Sequence, residues 1–377
     1  MAENSSVFGL RHQARCLTPV TSSTEQSKFL AGTVGAKDNV VCLLEYDDDD
    51  TIITPTMYNH PEEVWDIVSC PTDEHLLFTC HSPVSGNPLN RKATLWRKPA
   101  ITKDEGGRDQ RHELTSLVTL EQEGIRKVLW DPKEQNQQII AIDSNQLYLT
   151  SIHDDACQVS RAINLRFLLA DMDSNSPSLR QLQNAVWNPH QPEIITVGDR
   201  TVSGWDLRSG KSSFSRANAH KSTIRAVDYN PNKPYCVVTG GDDAVVNIWD
   251  VRQLSQPMMV VEGHSHWVWS VAFNQLQDQL LLTSGSDTLV NLHNVVSVSS
   301  ASYLDSSSED EDSEQGEERD IVKPTDGLIC TYDQHEDSVY KVAWSPADTW
   351  TFASISYAGR VVISQVPTNE KFKILGL

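Results

Sequence analysis

His220, Thr239, Asp243 and Trp249 place an imidazole, a hydroxyl, a carboxylate and an indole within 30 residues. A hydroxyl, an imidazole and a carboxylate are the parts of an activated nucleophile, so an acyl-transfer relay is the first chemistry to weigh. The following stretch argues against it. His264, Thr283 and Asp287 recur 44 residues later at the same offsets, with His293 in the place of Trp249. A third copy keeps His335 but has Ala358 at the Asp position and Ser364 at the Trp position. A catalytic set occurs once, whereas a set that returns with a period belongs to the architecture. Buried together, these groups satisfy one another, and each left unpaired would cost about 1–3 kcal/mol. The two copies that lack a member are expected to be less rigid.

Other chemistry is no better supported. His264 and His266 form an H-x-H pair that could chelate a metal, but His264 is already used in the repeating set. The Asp47–Asp50 run lacks the ligand spacing of a calcium loop and reads as a charged turn. Seven scattered cysteines, odd in number and without C-x-x-C, point to reduced thiols in the cytosol. No nucleophile–base pair, metal cluster or Gly-rich phosphate loop stands outside the repeating sets. The chain is therefore expected to be no enzyme, with no cofactor and no metal.

The element that positions these groups is a repeat. Segment 182–208, LQNAVWNPHQPEIITVGDRTVSGWDLR, and segment 221–252, KSTIRAVDYNPNKPYCVVTGGDDAVVNIWDVR, align on Trp-Asp pairs 44 residues apart. Strand, Asn-Pro turn, apolar strand, Gly/Asp turn and a strand ending in Trp-Asp make the blade of a WD-repeat propeller. Five turns carry Pro71, Pro132, Pro189, Pro231 and Pro346, and their uneven gaps mark polar insertions near 81–91, 100–115 and 170–180. A longer one, acidic and Ser-rich, spans 301–325 and is expected to be disordered. Seven units result: 7–46, 64–98, 124–152, 182–208, 219–252, 263–295 and 334–366. The fold is thus all-β, a seven-bladed WD-repeat β-propeller, read as one domain over 1–377. To close the ring, the apolar KFKILGL tail at 371–377 is a candidate outer strand, with VFGLRHQARCL at 7–17 as a candidate neighbour.

The net charge is −20, of which −8 lies in 305–320 alone. That balance argues against nucleic-acid or anionic-membrane partners, which need phosphate-neutralising Lys/Arg clusters. No apolar run approaches a membrane span, and the N-terminus lacks the basic and apolar regions of a secretory signal. The Asn4-Ser5-Ser6 sequon is read as chance. A monomer that binds proteins is the expectation.

In each blade the residues on either side of the first core valine of the inner strand open onto one rim of the ring. In HSHWVWSV, Val268 points into the blade, so Trp267 and Trp269 flank it by strand alternation. The matching places are Glu63 and Trp65, Thr223 and Arg225, and Ser338 and Tyr340, with Arg126 from the third unit. Aromatics and Arg are enriched in interface hot spots. Trp65, Arg126, Arg225, Trp267, Trp269, Ser338 and Tyr340 are therefore the candidate partner-binding residues; the plain alternative is that the rings plug the channel. Ser306, Ser307 and Ser308, each with an acid three positions on, suit an acid-directed kinase, although the segment reads equally as a solvated tether.

Segments 264–300 and 335–363, with GLRHQARCLTP, EVWDI and AVWNPHQPEIITV, carry a resemblance that covers nearly the whole chain. It resembles the EARP-interacting protein family of WD-repeat proteins, which associate with the EARP and GARP vesicle-tethering complexes. Ala358 departs from the acid expected in S-Y-x-G-R. The resemblance implies a non-catalytic partner of these tethers in endosomal recycling, endosome-to-Golgi retrograde transport and dense-core vesicle sorting. It also implies a cytoplasmic protein held at the trans-Golgi network and endosomes through its partners. A rival reading rests on Arg208 and Arg252, the ends of two W-D-x-R units, as adaptor contacts of a cullin-RING ligase substrate receptor.

Overall fold

The second strand of a repeat has no polar face. Cys236–Gly241 is buried along its whole length, as are Leu280–Gly285 and Thr351–Ser356. A strand covered on both faces must lie between two packed neighbours. The computed structural model supplies those neighbours in a ring of seven antiparallel blades. It describes residues 5–35, 37–85, 90–100, 110–132, 138–153, 156–164, 181–303 and 325–376.

The inner strands are Ala14–Pro19, Glu63–Ser69, Lys127–Trp130, Leu182–Trp187, Ile224–Tyr229, Val268–Phe273 and Val339–Trp344. Each touches the next, and the seventh returns to the first. Among the described residues, every junction between blades holds an apolar cluster. Between blades five and six, Val238 and Ile248 meet Val268, Val271 and Phe273. The approach is close enough that a Cβ on Gly240 would lie 2.6 Å from Val268 Cγ1. The core is therefore distributed around the ring.

Four expectations are corrected. The C-terminal tail is no strand: Thr368–Leu375 is a helix, capped by Gly376 in the left-handed conformation. The ring is closed by Ser5–Gly9, which pairs antiparallel with Arg360–Gln365 as the outer strand of the last blade. The first unit accordingly runs from Ala14 to Asn59 rather than over 7–46. Nor is 100–115 all loop. Thr115–Thr119 is the outer strand of blade two, and Arg111–Glu113 adds in parallel to Ile52–Asn59 of blade one. The third unit extends to Asn164. Most of the acidic insertion, with Ser306, Ser307 and Ser308, lies outside the described residues.

The repeating polar set is assembled as its types require. His220 bonds Asp243 through Nδ1 at 2.9 Å and Thr239 through Nε2 at 2.8 Å, while Trp249 Nε1 donates to the same hydroxyl at 2.9 Å. In blade six His264 bonds Asp287 and Thr283, and His293 Nε2 lies 3.1 Å from Thr283 Oγ1, in the indole's place. Blade two holds a set that sequence reading missed, with His60 and Trp96 both on Thr79. The signal was present: His60 precedes Thr79 by 19 residues, as His220 precedes Thr239.

Candidate functional site: an aromatic and arginine rim

In six blades the ladder between the inner strand and the second strand slips by one residue near the start of the inner strand. The breaks fall at Ala14/Cys16, Val64/Asp66, Leu182/Asn184, Ile224/Ala226, Val268/Ser270 and Val339/Lys341. The residues left unpaired are Arg15, Trp65, Gln183, Arg225, Trp269 and Tyr340. A β-bulge turns its extra residue out of the pleat, and here it does so at one level of the ring. Arg126 holds the same place in blade three, its N–H donating to the Ile142 carbonyl at 2.8 Å.

These side chains form a continuous belt. Trp269 stacks on Tyr340 with centroids 4.7 Å apart, and Trp267 meets Trp269 edge-on at 5.9 Å. The Arg15 guanidinium lies 4.8 Å from the Tyr340 ring, 4.9 Å from Tyr357 and 5.2 Å from Trp65. Arg91 covers Trp65 at 4.4 Å. On the other side Arg225 lies 5.3 Å from Trp269 and reaches toward Gln183 Oε1 at 3.4 Å. Arg126 donates to Gln181 Oε1 and to the Leu182 carbonyl. Trp267 is 41% exposed, whereas the rings of Trp65, Trp269 and Tyr340 are half-buried.

In four blades the belt is braced from the end of the second strand, or the residue just past it, at a constant offset of 17 residues. Trp65 Nε1 donates to Ser82 Oγ at 2.8 Å, Trp269 Nε1 to Ser286 Oγ at 2.6 Å, and Arg225 makes two 2.8 Å bonds to Asp242. Tyr357 packs on Tyr340 at 5.9 Å from the same offset. Ser338 contributes through Ser286, its Oγ lying 3.1 Å from that hydroxyl.

All seven residues expected at the rim are thus brought together. Sequence reading missed Arg15, Arg91, Gln183 and Tyr357. Tyr357 and Gln183 were findable, the first from the offset of 17 and the second from its place after Leu182. Arg91 was not, because it comes from the insertion in blade two.

The charge of the belt is only partly compensated. Arg225 has Asp242, but neither Arg15 nor Arg91 has a carboxylate partner among the described residues, and the Nε of each is shut from solvent without a hydrogen bond. Burial draws the Arg91 guanidinium below the usual arginine range, and the nearby Arg126 and Arg15 charges push the same way. Burial lowers Arg126 likewise, with Asp143 opposing the shift and Arg225 adding to it. Deeper in the channel the signs alternate. Burial brings Lys127 down to about 8 and Asp228 up to about 6, around a cavity of about 500 Å³ that Asp66 and Lys341 also line.

Arg208 and Arg252 lie elsewhere. They follow the third strands of blades four and five, at the opposite end of the sheets from the rim. Arg252 is bonded to Asp250 at 2.6 Å and stacked on Tyr235 at 4.0 Å, within its own blade. His264 is held by Asp287 and Thr283, and His266 Nδ1 accepts from the Trp267 N–H at 2.9 Å. Asp47 accepts from the N–H groups of Asp49 and Asp50, closing its own turn.

Comparison with known proteins agrees with this architecture. The family described as EIPR1 beta-propeller matches residues 2–293, and the WD domain, G-beta repeat matches 327–363. The chain is 34% identical to human EARP and GARP complex-interacting protein 1, over 98% of each chain. It is 36% identical to the EARP-interacting protein homolog of Danio rerio, again over 98% of each. The homolog of Dictyostelium discoideum is 37% identical, over 97% of this chain and 95% of the relative.

Proposed function

The chain belongs to the EIPR1 β-propeller family, and from that membership we propose that it is a non-catalytic scaffold binding the EARP and GARP vesicle-tethering complexes. What supports this reading is similarity over nearly full length to relatives whose names state that interaction. The processes served are endosomal recycling, endosome-to-Golgi retrograde transport and dense-core vesicle cargo sorting. The protein works as a monomer in the cytoplasm, reaching the trans-Golgi network and endosomes through its partners.

The contact is made by the rim. Aromatic and Arg side chains, half-buried and braced by a second row, supply large rigid contact area at little cost in side-chain entropy. A catalytic role finds no support in the polar sets, whose His and Thr groups are buried and bonded to one another and to a partly exposed Asp.

The test is capture of the tethering subunits from cells with protein tagged at its C-terminus, since Ser5–Gly9 is built into the last blade. Wild type recovers them, and the Trp269→Ala/Tyr340→Ala double variant, still folded by circular dichroism, does not. Undiminished recovery by the double variant would move the contact to another surface.

A further inference from the structure

We infer that the rim recognises an acidic linear segment of a protein partner, whose carboxylates are received by Arg15 and Arg91. This rests on the reading of the rim as the partner-binding surface and gives that surface its chemistry.

The chain carries −20 overall, yet three guanidiniums, Arg15, Arg91 and Arg126, gather at the channel mouth with no carboxylate bound to any of them among the described residues. Arg126 is satisfied by neutral carbonyl oxygens at 3.2 and 2.6 Å. Arg15 and Arg91 are held by aromatic faces instead, with Trp65 between them. Stacking fixes a guanidinium plane while leaving N–H groups at its edge, and the Nη1/Nη2 edge matches a carboxylate in two parallel bonds. Neither Arg15 nor Arg91 makes a side-chain hydrogen bond or ion pair among the described residues, and because the Nε of each is closed off, a partner carboxylate would meet the two Nη groups.

Arg225 shows what the unsatisfied pair lacks. Its Nε and Nη2 both reach Asp242 at 2.8 Å, a carboxylate placed 17 residues on. The corresponding residue for Arg15 is Gly32, which has no side chain and packs against Val64. A partner carboxylate on the Arg15 Nη groups would give Arg15 the charge partner that Asp242 gives Arg225. Farther along the rim, beside Trp269 and Arg225, Trp267 offers an exposed ring for an apolar side chain of the same segment. The segment is thus one that carries both acids and apolar residues.

The experiment uses the full-length protein and a fluorescein-labelled peptide of mixed Glu, Asp and Leu, with the Glu and Asp replaced by Lys as control. Fluorescence anisotropy should show the acidic peptide bound and the Lys peptide not. The Arg15→Gln/Arg91→Gln variant, folded by circular dichroism, should bind the peptide about tenfold more weakly or worse, the scale expected when a charged hydrogen-bonding partner is removed. The acidic peptide should also compete with capture of the tethering subunits, and the Arg variant should lose that capture. If Trp269→Ala/Tyr340→Ala abolishes capture but Arg15→Gln/Arg91→Gln does not, the rim reading survives and the acidic chemistry is wrong. If neither variant affects capture, both fall. Absence of peptide binding, combined with Arg-dependent binding to phosphatidylcholine vesicles carrying phosphoinositide, would replace the peptide by a lipid headgroup and overturn the proposal.

Discussion

His335 shows how much a single repeat position decides. Its Nε2 bonds Ser354 at 2.7 Å, but Nδ1 is buried without a partner because Ala358 stands where Asp243 and Asp287 stand in their blades. Burial, reinforced by the Arg360 charge, lowers the His335 pKa to about 4. Below its unfolded value near 6.5 the unfolded chain takes up a proton that folded His335 refuses, so this group removes stability as pH falls from about 6.5 toward 4. The residue after the acid position is left-handed in all three blades, at Ala244, Thr288 and Gly359, so the backbone for an acid is already in place. Ala358→Asp should therefore stabilise the protein by about 1–2 kcal/mol near neutrality. The gain should widen as pH falls below 6.5, because the new carboxylate lets folded His335 accept its proton. Urea titrations at several pH values check this, and a gain that shrinks on acidification would contradict it.

At the scale of the element, the bulge and the closing strand matter most. A bulge at the same level of six inner strands changes an ordinary alternation into a belt, since each extra residue is turned toward the channel mouth instead of joining the ladder. The closing strand is short, but its loss would leave Arg360–Gln365 as an open edge and uncover the apolar junction where Phe8 packs. Removing residues 2–9 should cost about 3 kcal/mol or more, from lost apolar burial and pairing, and promote aggregation through the bare edge. Removing 368–377 should cost about 1 kcal/mol at most, because the helix has no buried residue and only Ile374 leans on the core. Thermal unfolding and light scattering of the two truncations would separate these expectations. Equal effects would mean that the helix is part of the closure.

For the whole molecule, the surplus of negative charge and the positive mouth act together. A chain at −20 repels itself, and the ring keeps that charge at the density of a folded body. Raising NaCl from about 10 to about 150 mM shortens the screening length from roughly 30 to 8 Å. The thermal midpoint should rise over that range, as self-repulsion weakens more than the few surface ion pairs do. A midpoint that falls would mean that local pairs such as Arg360–Glu336 carry more of the stability than the overall repulsion removes.

The fold was legible in the sequence because a propeller blade is a local object. Trp249, Thr239 and His220 lie within one repeat, so their spacing already states that they meet, and the same spacing finds His264 and Thr283. The rim residues of single blades, such as Arg225 and Trp269, were legible for the same reason. Which end of the chain closes the ring was a matter for tertiary structure. Both VFGL and KFKILGL are apolar enough to cover the last blade, and the competition is settled only when the first and seventh blades come together. There Ser5–Gly9 is delivered alongside Arg360–Gln365 by the strand that follows it, while the tail, whose Glu370, Lys371, Lys373 and Leu375 are good helix formers, winds into its own hydrogen bonds. The meeting of Arg15, Trp65, Arg91 and Tyr340 was likewise undetermined by spacing. These residues come from blades one, two and seven, and their distances depend on the closed ring, which no periodicity within a repeat can encode.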